Sequence, residues 1–175
     1  MNKINITNIF RKLWFEHMFW TRSLIISTAA ELGDLKFVTD RLLRNPDDFA
    51  KELAKYYGND KAMRFRNLLT EHLNIAAKLV NAAKAGDTET ADSERRKWYV
   101  NANDIANFLA SINPYWSLRE WQLMLFDHLK LTEQEAVERL GGQYGNDVAL
   151  FDAMIDQGMR MADVMANGII RQFSI

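Results

Sequence analysis

The chain of 175 residues has no cysteine. That excludes disulfides, thiolate nucleophiles and any zinc site built on sulfur. Strand signals are nearly missing: no stretch alternates apolar and polar residues with β-branched enrichment, and no Asn-Gly or Asp-Gly pair offers a tight hairpin turn. The net charge of −1 lacks the basic excess needed to neutralise phosphates, so nucleic acid is not an expected partner. The most apolar segment, "LIISTAAEL", is far too short to span a bilayer, and no membrane partner is expected. The first ten residues lack the basic, apolar and small-residue order of a secretory signal, which makes a cytoplasmic location the expectation.

What the chain does have is helical periodicity. With 48% hydrophobic and 26% charged residues it has the balance of one soluble domain spanning 1–175. Apolar residues at spacings of three and four predict long helices over about Thr7 to Ala30, Asn59 to Ala85, Thr88 to Ile112 and Asn146 to Phe173. Shorter helices are predicted over Asp34 to Leu43, from Asn45 to Gly58 with Asn45 as N-cap and Pro46 in the first turn, and from Ser117 to Lys130. Ser117 with Glu120, and Thr132 with Glu135, read as capping boxes. "GGQYG", residues 141 to 145, is the expected break before the last helix. Its inward stripe is read as Val148, Phe151, Ile155, Met159, Ala162, Met165 and Ile169.

Only three histidines occur, and an acid precedes each one: Glu16-His17, Glu71-His72 and Asp127-His128. Leu13, Leu68 or Met124 stands four residues before each histidine. His17 and His72 fall near the middle of their helices on the inward stripe, with the acids at its flank. Two helices could therefore bring two imidazoles and two carboxylates to one interior point, a donor set suited to Fe, Mn or Zn. The candidate metal ligands are Glu16, His17, Glu71 and His72, with Asp104, Asp147 or Asp156 as further partners. His128 lies on a short peripheral helix and is not expected to join them. The plainer alternative is buried histidines, each satisfied by one side chain such as Asn101, Asp104, Asp147 or Asp156.

No histidine has a carboxylate three residues before it, so the Glu-x-x-His ligand pattern of di-iron bundles is absent. "GGQYG" lacks the Lys, the Ser or Thr and the preceding strand of a phosphate loop. The five tryptophans and the methionines of the last helix read as core, and Gly158 and Gly168 as sites of close helix approach.

"LWFEHMFWTRSLIISTAAELGDL", "RLLRNPDDFA", "LLTEHLNIAAKLVNAAKAGD", "RKWYVNANDIANFLASINPYW" and "MRMADVMANGII" together resemble an uncharacterised family of short all-helical bacterial proteins, mainly from Gram-positive anaerobes. Some of these carry an acetylglutamate kinase label. That activity is rejected here: such kinases are larger α/β enzymes with Gly-rich loops after strands, and this chain has neither. The aromatic-rich Glu-His helices are more loosely similar to ferritin-like helical bundles.

The resulting expectation is an all-α, antiparallel four-helix bundle, ferritin-like or hemerythrin-like, with accessory short helices. Its expected role is a small binding protein holding a metal ion or small ligand in the bundle interior. The alternative is a homo-oligomeric interaction or adaptor protein with purely structural histidines. An enzyme ranks behind both.

Overall fold

The computed structural model describes residues 2–175 and is all-α, with no strand among the described residues. Seven helices follow in order: α1 Lys3–Ala29, α2 Leu35–Leu42, α3 Asn45–Tyr57, α4 Asn59–Ala85, α5 Thr88–Ile112, α6 Leu118–Leu140 and α7 Tyr144–Gln172. Among the described residues no helix is long and apolar enough to cross a membrane.

Local chemistry explains most boundaries. Asn2, Asp87 and Ser117 accept from the backbone N–H three residues on and so cap α1, α5 and α6. Gly86 ends α4 at φ 70°, a left-handed conformation that costs a residue with a Cβ about 1 kcal/mol or more.

Five helices are 23 to 29 residues long, where the sequence suggested four. The difference lies in α6, which runs on past Lys130 to Leu140. Thr132 sits inside this helix, and its hydroxyl donates back to the His128 carbonyl at 2.8 Å. Glu135 pairs with Arg22 of α1. Thr132 and Glu135 are therefore tertiary and mid-helix residues, not a capping box. Asn45 also departs from expectation: its side chain caps nothing and turns into the core.

The packing order closes on itself. α1 packs on α7, α7 on α6, α6 on α5, α5 on α4 and α4 on α3, while α2 and α3 return to α1. The chain is thus three helix pairs: α1 with α2–α3, α4 with α5, and α6 with α7. Equivalent buried positions recur at intervals of 55 or 56 residues. On the first helix of each pair they are Phe10, Phe65 and Trp121, then Leu13, Leu68 and Met124. On the second they are Leu42, Trp98 and Met154, then Phe49, Ile105 and Met161. In the first pair this helix is split in two just before Pro46, which lacks an N–H and fits only the first turn of α3.

α1, α4 and α6 run in the same direction. Their histidines meet, and Ile25, Val80 and Ala136, eight residues further along each helix, form a second cluster. Most of the remaining core is one apolar cluster around Trp14, Trp116 and Trp121. Full burial of each such side chain contributes roughly 1.5–3 kcal/mol.

The inward face of α7 matches the expected stripe at Ala162, Met165 and Ile169 and departs from it toward the N-terminus. Val148 is 54% exposed, and the buried residues are Asp147, Met154, Gly158, Met161, Ala162, Met165, Ala166, Gly168 and Ile169. The glycines follow the expectation: a Cβ on Gly158 would stand 2.1 Å from Met18 Sδ, and one on Gly168 would stand 1.9 Å from Trp116 Nε1.

Candidate metal centre

His17 of α1, His72 of α4 and His128 of α6 converge in the interior, each 2% exposed. One ring nitrogen from each lies within 4.8 Å of the others. Among the described residues this is the single such group of metal-competent side chains, and no carboxylate belongs to it.

The same small assembly holds each imidazole. His17 Nδ1 lies 3.1 Å from Asn45 Oδ1, His72 Nδ1 2.9 Å from Asn101 Oδ1, and His128 Nδ1 3.2 Å from Gln157 Oε1. Each amide nitrogen in turn donates to the backbone carbonyl one turn before its histidine. Asn45 donates to Leu13 at 3.0 Å, Asn101 to Leu68 at 3.1 Å and Gln157 to Met124 at 2.7 Å. A carbonyl accepts only, so it must face the NH2 group, and the amide oxygen must face the imidazole. Nδ1 therefore carries the proton and donates it to the amide. The nitrogen left to accept or ligate is Nε2 on all three rings.

Burial keeps these rings neutral. His17 is held well below the ordinary histidine range by desolvation, reinforced by its proximity to His128 and His72. The same desolvation, with His128 nearby, lowers His72 to about 3, and desolvation lowers His128 to about 4. Amide oxygens acting on Nδ1–H oppose this only in part.

Indoles wall the cluster. Trp14 stands edge-on to His17 and His128, at 5.5 and 6.4 Å between ring centres. Trp98 packs on His72, and its Nε1 donates to His72 Nε2 at 3.1 Å. That bond independently requires His72 Nε2 to be unprotonated.

The acids flanking the histidines lie elsewhere. Glu16 pairs with Arg41 at 3.3 Å and Lys12 at 3.8 Å. Glu71 and Asp104 line an open groove between α4 and α5, and Glu71 Oε2 lies 3.5 Å from the Asn101 amide. Asp156 is exposed. Asp147 is buried but accepts both guanidinium arms of Arg22, at 2.6 and 3.0 Å. Arg139, 3.3 Å from Asp147, and Glu135 complete that ion cluster. Glu135 stands where the other two helix pairs have Leu24 and Leu79, and burial pushes its carboxyl up to about 7 against the pull of Arg22. The structure thus brings His17 and His72 together as expected and adds His128, because α6 is a full-length helix equivalent to α1 and α4.

Asn45 and Gln157 were not anticipated as parts of a site. Their signal was present in the chain: an amide follows each histidine by 28 or 29 residues.

No protein-family model, curated protein or solved structure matches this chain. The centre is therefore read from its own chemistry.

Proposed function

We propose that the protein binds one divalent transition-metal ion through the Nε2 atoms of His17, His72 and His128. The observation that carries this reading is the threefold repetition of one second contact. A histidine buried only for packing needs a partner for its N–H, but nothing requires three of them to be turned the same way. Here three amides, each locked onto a helix carbonyl, fix Nδ1–H on every ring and leave Nε2 as the acceptor; at His72 that atom takes the Trp98 indole N–H, a bond that a metal ion would have to replace. Metal-bound histidines are oriented in this way by donating the other ring N–H to a fixed acceptor. Three neutral imidazoles suit zinc, iron, copper or nickel and leave a coordination position for a further ligand. Manganese, included in the sequence-based expectation, fits less well without a carboxylate.

The proposed ligand set replaces Glu16 and Glu71 by His128. Interior helix-borne histidines are also what this reading has in common with the expected ferritin-like or hemerythrin-like bundle, although five long helices and a threefold arrangement favour a different packing.

The test is elemental analysis of untagged protein after incubation with each metal and removal of excess. About one ion per chain is expected, falling to below about a tenth in His72→Ala and His128→Ala. Loading that is unchanged in both variants would sink the proposal.

A second reading concerns assembly. Phe15 and Phe19, 41% and 42% exposed, stack at 5.9 Å on the outer face of α1. Such an apolar face fits a homo-oligomer. A monomer whose mass by light scattering does not change with concentration would refute it.

A further inference from the structure

Independently of the metal reading, we infer that the protein binds a short-chain primary alkylamine, with its hydrocarbon tail in an interior apolar cavity and its ammonium at Glu133 in the cavity mouth. The space comes from an imperfection in the threefold packing. One turn after the histidines stand Thr21, Ala76 and Thr132, and one turn further Ile25, Val80 and Ala136. In each layer one helix carries an alanine where the other two carry larger side chains. Both alanines line a cavity of about 50 Å³, floored by the fully buried Ile25 and Leu73 and walled on one side by Trp98.

Size and polarity define the tail. A water molecule needs roughly 10–15 Å³ of such space, and a benzene-sized guest about 150 Å³. The cavity therefore takes a chain of about three or four carbons and no ring. The hydroxyls of Thr21 and Thr132 are already donated to the His17 and His128 carbonyls, at 2.7 and 2.8 Å. Little remains to stabilise trapped water, whereas an alkyl chain needs no such partners.

Charge defines the head group. The cavity reaches the surface beside α5 and α6, where Arg95 and Glu133 line it together with Val137, which is 64% exposed. Arg95 Nε donates to Glu133 Oε1 at 2.7 Å, and the same guanidinium also pairs with Asp92. Among the described residues Oε2 of Glu133 accepts no hydrogen bond. Asp127 adds a third carboxylate. Burial raises the Tyr99 hydroxyl, Glu133 and Asp127 raise it further, and Arg95 is the one cation that opposes them. One guanidinium thus serves three carboxylates. An ammonium at the mouth supplies the missing positive charge to Glu133 while Arg95 keeps Asp92, whereas a carboxylate head would be repelled. The tail then runs inward past Ala136 toward Ile25 and buries no polar group.

The probes are n-alkylammonium chlorides, methyl to hexyl, titrated at fixed ionic strength into chelator-treated protein. The Trp98 indole resonance, assigned from Trp98→Phe, is followed by NMR. Affinity should rise about fourfold per methylene as far as butylammonium and level off beyond it, because longer tails find no further space. Butyrate and n-butanol should bind about fivefold or more weakly than butylammonium. Glu133→Gln should weaken butylammonium by about fivefold and leave n-butanol unchanged, and Ala136→Leu should weaken both. Glu133 is partly exposed, so its variant stays decisive if Ala136→Leu fails to fold. No Trp98 shift with butylammonium, an affinity independent of chain length, butyrate bound as tightly, or Glu133→Gln binding butylammonium as the wild type does would each overturn the inference. The titration is run without metal, so none of these outcomes bears on the metal reading.

Discussion

Acidification from pH 7 to pH 5 is expected to destabilise the metal-free protein, chiefly through its three histidines. An imidazole with an ordinary pKa of 6.5 in the unfolded chain falls to about 3 at His72 and about 4 at His128 in the native state. Between those values the unfolded chain binds more protons than the folded one. The stability is thus complete above about pH 6.5 and is lost as pH falls through the window below it. At pH 5 each of these two histidines costs roughly 2 kcal/mol relative to pH 7. His17 shifts in the same direction and adds to the loss. Glu135 works against them. Its folded pKa is raised to about 7 from 4.5, so its burial costs stability at high pH and is relieved on acidification, by roughly 2 kcal/mol over the same interval. The net loss should be at least about 2 kcal/mol, a large share of a typical domain's 5–15 kcal/mol. Urea denaturation in the presence of chelator, at both pH values, measures it. Glu135→Gln removes the opposing contribution and should widen the loss to about 4 kcal/mol or more. Unchanged stability, or histidine ring protons titrating near pH 6.5 by NMR in the folded protein, would refute the reasoning.

Further outcomes follow from the packing and from the amide contacts. Asn101→Ala should lower metal affinity by about 10–100-fold while His72 remains in place, because the ring loses the acceptor that fixes its orientation; isothermal titration checks it. Gly168→Ala should cost about 2–4 kcal/mol in chemical denaturation, because the new Cβ meets the rigid Trp116 indole and disturbs its bond to the Val164 carbonyl. Gly158→Ala should cost less, since Met18 presents the flexible end of its side chain there. Arg22→Ala should be among the more damaging changes, at about 3 kcal/mol at neutral pH, because Glu135 would lose its hydrogen-bonded cation and buried Asp147 would keep only the longer Arg139 contact. A thermal midpoint within a few degrees of wild type would contradict that estimate.

The sequence by itself determined the fold class and most of the helix ends, because both are local. Spacings of three and four set the helical faces, and Asp87, Ser117 and Gly86 mark termini through contacts within a few residues of themselves. It also determined that His17 and His72 are buried, since both lie on apolar stripes. The repeat of 55 and 56 residues that unites the three histidines was equally present in the chain. It is hard to see there because, apart from the acid before each histidine, most exposed positions do not repeat.

Other features were decided by tertiary structure alone. Thr132 and Glu135 have the residue types of a helix start. α6 nevertheless continues through them, because packing against α5 and α7, together with the Arg22 contact, outweighs a capping preference worth about 1 kcal/mol. Asn45 likewise gives up a cap to hold His17. The meeting of His128 with the other two depends on three helix pairs closing around one axis. That closure is a sum of long-range contacts, and no local stretch of sequence encodes it.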